Sequence, residues 1–591
     1  MRLKVSKSKN AASLYVIKSV YNPKTQSNTS VIVEKLGTEA SLREKLNGQD
    51  PYEWAKSYIK ELNEKEKLGK QETIVKYSNS KQIPKGKQVS FNGGYLFLQQ
   101  IYYELGLDKI CNTIAEKYNF TYDLNSILSR LIFSRIIYPN SKLATFESSM
   151  NFIEQPNFEL HHIYRALDII AKENDYIQSQ LYKNSSKVSK RNKGVLYYDC
   201  TNFFFEIAQS DGLKQYGRSK EHRPNPIVQM GLFMDGNGLP LAFDITPGNT
   251  NEQVTLKPLE EKLHRDFKLS KFVVCTDAGL SSITNRKYND KDGRAFITTQ
   301  SIKKLKSHLK EWALDPNGWY LQGDQKEYNI EQVSAILEEL ESKEHRTVKD
   351  IETIKDLKAK VFYKERWIDE NKLQQRFIVT HSFKFRDYQR HIRYKQIERA
   401  VKLIESNPKN IGKARQNDFK RLIRTTSETK DGERATKNVH EINAQLIEDE
   451  AIYDGFYGVC TNLEDDIAEI IRVNKNRWQI EESFRIMKSE FKARPVYLKN
   501  DNRILAHFIT CFIALMIYRI LNEKLKNKYT CSEIITTLQG FNFLESHRNG
   551  YIPTYKRDDL TDDLHEYFGF RTDFEIVDHK KMRKILKHTK K

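Results

Sequence analysis

The stretch that decides both the fold and the site is NKNRWQIEESFRIMKSEFK, residues 474–492. It contains no Pro or Gly and is rich in good helix formers, which predicts one helix of about five turns. At roughly 100° per residue, four apolar side chains share one face of this helix. They are Ile480, Phe484, Met487 and Phe491. We expect that face to pack into a core.

A second stripe lies beside the apolar one and consists of Arg477, Glu481 and Lys488, at positions i, i+4 and i+11. A carboxylate between two cations at the edge of a buried face can point into a cleft, whereas Glu482 points nearly opposite the core. This helical phase nominates Glu481 as the functional acid. The alternative is a salt-bridged amphipathic surface helix, because Arg and Glu at i, i+4 are common partners.

Two upstream acids favour the functional interpretation. VLYYDCT (195–201) has an apolar strand pattern that ends at Asp199, and KFVVCTDAG (271–279) has another that ends at Asp277. Two further strand patterns and a helix lie between them, with the hairpin turn signal DGNG joining the two strands. The predicted order is β-β-β-α-β-α-β, which is the order of an RNase H-like domain. The expected fold class is therefore α/β (α+β), with an RNase H-like core.

The chain has 591 residues and is too long for a single core. The predicted segments are 1–75, an accessory module; 76–190, a helical DNA-binding domain; 191–302, the first part of the core; 303–453, an insertion; 454–525, the second part of the core with the catalytic helix; and 526–591, a basic tail. No helix-turn-helix pattern in 76–190 is sharp, so an ordinary helical domain stays open there.

Composition favours a nucleic-acid partner. Lys and Arg number 98 and Asp and Glu number 78, so the formal charge is +20, and it is spread along the chain. A polyanion is the usual partner of such a protein. The six cysteines are scattered without paired spacing and predict reduced thiols in the cytoplasm. The most apolar run, 504–521, contains His507 and Arg519. It falls short of the ~20 apolar residues of a membrane span, so we expect a buried helix and no membrane.

Three carboxylates would supply the chemistry. Asp199, Asp277 and Glu481 are too far apart in sequence for a local motif, so the strand and helix assignments alone bring them together. Converging carboxylates need cations between them, and oxygen ligands select hard ions such as Mg²⁺ or Mn²⁺. Two such ions ~4 Å apart can activate a water or a 3′-hydroxyl against a phosphodiester. His507, on an apolar helix face, is interpreted as a core residue.

The segments YYDCTNFFFE, VVCTDAGLS and NRWQIEESFRIMK resemble the DDE transposases of bacterial insertion sequences. The resemblance is to the subgroup with the spacing Tyr, two residues, Arg, three, Glu, six, Lys. Arg477, Glu481 and Lys488 match this spacing, whereas Asn474 stands where the subgroup has Tyr. GNTNEQVTL, YDGFYGVCTN and RPVYLKNDNRILAHFITCFIAL extend the likeness over about 195–521.

The resemblance implies an RNase H-like core interrupted by an insertion. It also implies Mg²⁺-dependent cleavage at transposon ends and strand transfer into target DNA, with cut-and-paste movement through hairpin ends. Asp199, Asp277 and Glu481 would be the catalytic metal ligands. The residues expected to contact DNA near the cut are Arg477, Lys488, Arg485 and Asn474. Expected partners are double-stranded DNA, as transposon inverted-repeat ends and as target, and a second copy of the chain. The expected location is the bacterial cytoplasm, at the nucleoid.

Two other functions are weighed against this one: an RNase H-like nuclease that cuts without joining, and a DNA-binding regulator that has lost catalysis. Intact acids at all three positions argue against the regulator.

The predicted insertion carries aromatics in polar surroundings, namely Trp312, Trp319, Tyr320 and Trp367, and cation clusters in RDYQRHIRYK and KRLIRTT. We expect it to handle DNA, with Trp319 as the best candidate for stacking on an unpaired base. The alternative is that these rings form the insertion's own small core.

Overall fold

A computed structural model describes residues 1–591 except for 9–10, 23–26, 47, 70–74, 76, 407–410, 412–417, 429–433 and 547–548. The described chain divides into two compact units. The first comprises Met1–Ser90, Phe543–Thr554 and Thr572–Lys584, and the second comprises Phe91–Asn542, Tyr555–Arg571 and Ile585–Lys591.

The strands are β1 (Arg2–Lys7), β2 (Ala12–Asn22), β3 (Ser27–Thr38), β4 (Ser90–Asn92), β5 (Val195–Phe204), β6 (Ile227–Asp235), β7 (Pro240–Pro247), β8 (Val273–Thr276), β9 (Ala295–Gln300), β10 (Tyr320–Leu321), β11 (Phe362–Asp369), β12 (Gln374–His381), β13 (Ile423–Glu428), β14 (Arg434–Ile442), β15 (Phe456–Thr461), β16 (Asn542–Ser546) and β17 (Gly550–Pro553).

The helices are α1 (Glu39–Lys45), α2 (Pro51–Gly69), α3 (Tyr95–Glu104), α4 (Leu107–Lys117), α5 (Leu124–Ile137), α6 (Lys142–Ser149), α7 (Leu160–Lys172), α8 (Asn174–Val188), α9 (Leu256–Phe267), α10 (Ile283–Tyr288), α11 (Ser307–Leu314), α12 (Ile330–Ser342), α13 (Val348–Ala359), α14 (Phe383–Ser406), α15 (Ala444–Ala451), α16 (Ile467–Lys475), α17 (Trp478–Arg485), α18 (Asp501–Lys524), α19 (Cys531–Gly540), α20 (Asp559–Phe568) and α21 (His579–His588).

In the first unit, β1, β2 and β3 form an antiparallel sheet. Alternating side chains of these strands meet α1 and α2 in a small core around Leu14, Leu42 and Ala55. β2 is the central strand of this sheet and pairs with β1 on one side and with β3 on the other.

The second unit is mixed α/β and is built on a nine-stranded sheet in the order β10-β11-β12-β15-β9-β8-β5-β6-β7. The pairs β5–β8 and β8–β9 are parallel, and the others are antiparallel. From β5 to β9 the chain follows the predicted order β-β-β-α-β-α-β. One detail differs, because β5 continues to Phe204 and Asp199 therefore lies within the strand rather than at its end.

The segment between β9 and β15 extends this sheet. β15 pairs with β9 on one side and with β12 on the other, and β11 and β10 follow β12 outward. Trp319, Phe362 and Phe377 are among the buried residues that join these strands to α12 in one apolar core. The long segment thus shares the main sheet while it adds its own core.

Helices cover both faces of the sheet, because the strands are apolar on both sides. Tyr198 and Phe233 pack in the core that includes the apolar side of α9. On the opposite face, Phe203 packs against Phe508 of α18, with ring centroids 4.8 Å apart. α18 is long and apolar enough to cross a membrane, but it is buried among the other elements almost along its whole length. The prediction of a buried helix there is confirmed.

The stretch 474–492 is not one uninterrupted helix. α16 ends at Lys475, α17 begins at Trp478, and a π-helical turn, Ile486–Glu490, completes the segment. Absence of Pro and Gly did not reveal this break, because the interruption depends on what the helices pack against. The apolar stripe is confirmed, since all four of its side chains are buried.

Candidate active site

Asp199 lies on β5, and Asp277 directly follows β8, the parallel neighbour of β5. β5 and β8 pair with Tyr197 opposite Cys275, and continuing this register by two residues places Asp199 opposite Asp277, where strands are roughly 4.8 Å apart. Because side chains alternate along a strand, Asp199 shares the face of Tyr197, and the charge of Asp277 raises the pKa of Asp199, so the two carboxylates lie near each other. The Sγ of Cys275 lies 3.8 Å from Oδ1 of Asn474 on α16. Both acids therefore face the helices that carry the stripe of Arg477, Glu481 and Lys488.

The surroundings of Asp199 change its pKa strongly. Burial raises the pKa of Asp199 to about 7, and the nearby Asp277 adds to this effect, while Lys220 and Arg477 oppose it. The Oδ1 of Asp199 accepts a hydrogen bond from the backbone N–H of Cys200 at 2.7 Å. The carboxylate of Asp199 is buried away from water and lies close to the negative charge of Asp277. Such a site favours the binding of a cation.

Lys220 is a site residue that the sequence reasoning missed. Its Nζ donates to the backbone carbonyl of Cys200 at 2.5 Å and lies 3.1 Å from Oε1 of Glu252. Its charge also lowers the pKa of Asp199. Lys220 lies in the connection between β5 and β6. A lysine in a connection is ordinarily exposed to solvent, and no helical or strand periodicity there indicated a role for it.

Glu481 reaches the site from the first turn of α17 and is 60% exposed. The guanidinium of Arg477, which is 17% exposed, lies 3.6 Å from its carboxylate. Burial opposes the charge of Arg477, but Tyr457, Cys275 and the two aspartates outweigh it and raise the pKa of Arg477. Arg477 is therefore the charge that couples Glu481 to the pair of aspartates on the sheet.

A cavity of about 330 Å³ opens beside Glu481 and Arg477. Asn474, Tyr457 and Phe385 also line it, so its walls come from α16, α17, β15 and the start of α14. The walls are mostly apolar, and the charged groups lie at one end. The cavity thus offers an apolar surface directly next to the candidate catalytic glutamate.

Glu482 does not simply face solvent, which corrects the prediction for it. Its Oε2 accepts from Nη1 of Arg519 on α18 at 2.9 Å, and Oε1 lies 3.6 Å from Arg485. Arg519 also donates to Ser483 at 2.7 Å. Glu482 is directed away from the apolar face of α17 as expected, yet α18 packs beside that side and supplies a largely buried cation. Glu482 is a structural ion-pair partner.

Lys488 lies in the π-helical turn and is largely buried. Its Nζ is 3.3 Å from Oε1 of Glu221 and 5.5 Å from the ring centroid of Phe203. Burial and the neighbouring Lys220 lower the pKa of Lys488 to about 8, although Asp199 opposes this shift. Lys488 therefore belongs to the same charged group as Asp199, whereas Arg485 is exposed and lies next to Glu482.

Asn474 is buried and holds a phenol in the site. Its Nδ2 donates to the hydroxyl of Tyr457 at 3.1 Å, and the same hydroxyl lies 2.6 Å from Oγ1 of Thr299. Tyr457 also raises the pKa of Arg477. Tyr457 was quoted within YDGFYGVCTN without a role, because only the pairing of β15 with β9 brings it beside α16.

Trp319 does not present a stacking surface. Its side chain is 0% exposed, its Nε1 donates to the backbone carbonyl of Asp315 at 2.8 Å, and Lys364 lies 4.6 Å from its ring centroid. The ring belongs to the insertion's own core, as the alternative interpretation held, so Trp319 is not proposed again as a DNA contact. Phe385 is one of the insertion residues that line the cavity beside Glu481, and sequence reasoning missed it.

The donor set suits a hard divalent cation. Asp199 and Asp277 supply carboxylate oxygens near each other, and the exposed carboxylate of Glu481 lies 3.6 Å from Arg477, whose charge interacts with both aspartates. Buried negative charges that repel each other are stabilised when a cation joins them, and oxygen donors are the ligands that Mg²⁺ and Mn²⁺ prefer. The assignment of these three residues as ligands stays a prediction.

A family model described as the transposase DDE domain matches residues 196–377 and 379–517, more than half of the chain. A search of curated proteins finds no match. Two similar solved structures are the cryo-EM structure of the piggyBac transposase synaptic complex with hairpin DNA, at 9% identity, and the Mos1 transposase paired-end complex with the left transposon end, at 12% identity. The first covers 76% of this chain and 78% of that chain with a TM-score of 0.31; the second covers 38% and 62% with a TM-score of 0.13. Neither likeness carries weight at these scores, and the family match stands by itself.

Proposed function

The chain belongs to the family of transposases with a DDE domain, and from that premise we propose that Asp199, Asp277 and Glu481 catalyse cut-and-paste movement of a bacterial insertion sequence. The enzyme cleaves DNA at transposon ends and transfers the strand ends into target DNA. In cleavage, water attacks the phosphodiester and releases a 3′-hydroxyl. In transfer, that hydroxyl attacks a target phosphodiester and displaces another 3′-hydroxyl.

The observation that carries the assignment is the register of β5 and β8. The pairing ends at Tyr197 and Cys275, two residues before Asp199 and Asp277, and Cys275 contacts Asn474 of α16. The charge of Arg477 interacts with both aspartates, and its guanidinium lies 3.6 Å from Glu481. Two acids from a sheet and one from a helix can thus act on one phosphodiester.

The strand pattern also supports an RNase H-like core. β7, β6 and β5 are antiparallel neighbours, β8 and β9 continue in parallel with β5, and one acid lies on β5 with the other directly after β8. In this assignment 191–302 and 454–525 form the core and 303–453 is the insertion. The remaining predicted segments, 1–75, 76–190 and 526–591, keep their assignments.

We assign Mg²⁺ or Mn²⁺, as two ions, to Asp199, Asp277 and Glu481. When bound, such ions lower the pKa of the attacking water and stabilise the negative charge on the oxygens of the phosphodiester. The chain's own residues hold the geometry: the strands position the aspartates, and Arg477 orients Glu481 at 3.6 Å. Lys220 offsets the buried charge of Asp199.

DNA near the cut is assigned to Lys488, Arg477, Arg485 and Asn474. Lys488 supports this assignment best, because it lies close to Asp199 and carries a cation at the site. The signature Tyr of the resembled subgroup is absent at Asn474, yet Asn474 holds the hydroxyl of Tyr457 at 3.1 Å. We assign to the hydroxyl of Tyr457, on β15, the role that the signature Tyr has in the resembled subgroup. We call this role the phenol function; in this chain a strand supplies it instead of the helix.

The insertion offers a duplex-sized surface in α14. This helix of 24 residues is ~36 Å long, about one turn of B-DNA. Its exposed face carries Lys384, Tyr388, His391, Lys395, Arg399 and Lys402, with Glu398 among them. Phe385, at its start, lines the cavity beside Glu481. We assign this face to the phosphate backbone of DNA that leaves the site, which would also use part of the +20 charge.

A homodimer that pairs two transposon ends and a cytoplasmic, nucleoid-associated location complete the proposal. A helical DNA-binding role is retained for 76–190, where α3 to α8 lie.

The test is a reaction with DNA that carries the inverted repeats flanking the gene, Mg²⁺ and a supercoiled target plasmid. Transposition predicts nicks at the ends followed by joined products, and hairpin ends would appear between these steps. A nuclease of the same fold would nick without joining, and a regulator without catalysis would shift the DNA in a gel without cutting it. Either result would overturn the proposal.

A further inference from the structure

A second cavity, of about 250 Å³, is lined by residues of α5 and α6 and by segments that follow α17 in sequence. It is lined by basic side chains from distant parts of the second unit: Arg135 at the end of α5, Lys142 at the start of α6, and Lys492 and Arg494 after the π-helical turn. His507 of α18 also lines it.

Lys142 is the central observation. It is 5% exposed, and its Nζ has no hydrogen-bond partner in the part of the chain that the structure describes. Burial and the neighbouring Arg135 lower the pKa of Lys142 to about 7. An ammonium without water or a partner is unfavourable, so its position calls for an anion that the chain itself does not supply there.

Arg135 adds a second buried charge. It is 3% exposed and donates to the carbonyls of Phe491 and Asn140, each at 3.1 Å. Carbonyl partners satisfy hydrogen bonds but do not neutralise the charge, and Nε of Arg135 has no partner among the described residues. Arg494 differs, because it forms an ion pair with Glu221.

The remaining polar groups do not neutralise the pair. Nε2 of His507 lies 3.0 Å from the carbonyl of Ala493 and 3.8 Å from Sγ of Cys511. Burial, with the charges of Arg135 and Lys142, lowers the pKa of His507, and burial raises the pKa of Cys511, although both cations oppose that shift. His507 is thus a neutral core residue, as the sequence predicted. Lys142 is also the first residue of α6, where the Oγ of Ser141 caps the N–H of Ala144, and the positive end of the helix dipole favours an anion.

We infer that this cavity is a phosphate-binding pocket, with Lys142 and Arg135 as its charged ligands. The phosphate could belong to a DNA strand or be free in solution. A DNA strand in the active site could reach the pocket, because the pocket is close to the active site. Arg494 at the pocket and Lys488 at the active site both pair with Glu221. A strand that passes Lys488 would therefore continue towards the pocket. The inference that the pocket binds phosphate does not depend on the proposed function. The inference that this phosphate belongs to a DNA strand rests on the proposed function.

The first experiment uses inorganic phosphate with the full chain in a metal-free buffer that contains EDTA. Isothermal titration should detect binding to the wild type, and phosphate should raise its Tm on the order of 1–2 °C. Lys142→Met removes the charge while it keeps the chain length. It should raise Tm without phosphate, because a buried unpaired charge is lost, and it should abolish both the heat of binding and the phosphate-dependent shift.

Lys109→Met is the matched control, since Lys109 is an exposed lysine of α4 and should respond to phosphate like the wild type. Lys142→Arg, which restores the charge, should recover phosphate binding at least partly. If the wild type shows no heat of binding at tens of millimolar phosphate, or if Lys142→Met retains the full phosphate shift, the pocket is not an anion site. A loss of stability in Lys142→Met without phosphate would likewise contradict an unpaired charge.

The second experiment separates the two sources of phosphate by measuring affinity for transposon-end DNA against salt. If a DNA phosphate occupies the pocket, Lys142→Met should flatten the slope of log K against log salt by about 0.9 for duplex DNA, and Lys109→Met should not. An unchanged slope combined with lost phosphate binding assigns the pocket to a free anion and leaves the inference standing. Because phosphate binding is measured without DNA or metal, its outcome is independent of whether the chain transposes.

Discussion

Of the three proposed catalytic acids, Asp199 lies on β5 and Asp277 directly after the adjacent strand β8, whereas Glu481 lies on a short helix that begins at Trp478. The positions of the aspartates follow from the backbone pairing of β5 with β8, which ends two residues before each of them. Glu481 is positioned by a side-chain ion pair with Arg477. Asp199 and Asp277 form the sheet half of the site, and the fold fixes their positions. Arg477, Glu481 and Lys488 form the helix half, whose side-chain contacts one substitution can change.

The largest effect is expected from Asp199→Asn and Asp277→Asn. Each should reduce end cleavage by about 10³-fold or more, because a lost ligand removes several kcal/mol of charge stabilisation from the transition state. The fold should not suffer, since burial and Asp277 already disfavour the charge of Asp199. Single-turnover cleavage and Tm, both with and without Mg²⁺, measure the two quantities. A large fall in Tm without metal would mean that the sheet half depends on its acids.

Glu481→Gln should lower cleavage by about 10²- to 10³-fold and leave Tm in EDTA unchanged, because its carboxylate is 60% exposed. DNA affinity measured with Ca²⁺ in place of Mg²⁺ should stay within a few-fold of the wild type. If Glu481→Gln cleaves normally, the helix half contributes no ligand and the phase assigned to α17 is wrong.

Glu482→Ala tests the neighbour that the sequence placed in solvent. It should lower the free energy of unfolding by about 1–3 kcal/mol, since it leaves largely buried Arg519 without its carboxylate. Cleavage per folded molecule should stay within a few-fold of the wild type. The double variant Glu482→Ala/Arg519→Met should recover part of the lost stability. Unchanged stability in the single variant would restore the solvent-facing interpretation.

Lys488→Met tests the grip of the helix half on DNA. We expect weaker binding and a slope of log K against log salt flatter by about 0.9 for duplex DNA, with the metal site intact. Lys109→Met, which changes an exposed lysine of α4, is the control and should keep the wild-type slope. Equal slopes in the wild type and Lys488→Met would make Lys488 a structural partner of Glu221.

The smallest effect is expected from Tyr457→Phe, which removes the hydroxyl that Asn474 and Thr299 contact. A lost hydrogen bond of about 1 kcal/mol corresponds to a roughly fivefold lower cleavage rate. The reverse exchange, Asn474→Tyr with Tyr457→Phe, would move the phenol to the helix. If Tyr457→Phe alone has no effect on rate, Tyr457 does not supply the phenol function.

The sequence by itself determined the elements that local patterns encode. Periods of two and of 3.6 residues predicted the β-β-β-α-β-α-β order, the aspartates on β5 and after β8, and the buried stripe of α17. They did so because burial of apolar side chains leaves a regular trace along one chain segment. The family resemblance, carried by motifs around the same acids, was matched by the family model.

Only the tertiary structure decided which charged and aromatic groups meet. Lys220, Tyr457 and Arg519 all act on residues far away in sequence, and an isolated Lys, Tyr or Arg leaves no periodic signal. Trp319 illustrates the same limit, because its polar neighbours in sequence suggested exposure while packing against His381 and Phe456 buried it. Contacts of this kind depend on how strands and helices pair across the chain, and side-chain chemistry alone does not specify that pairing.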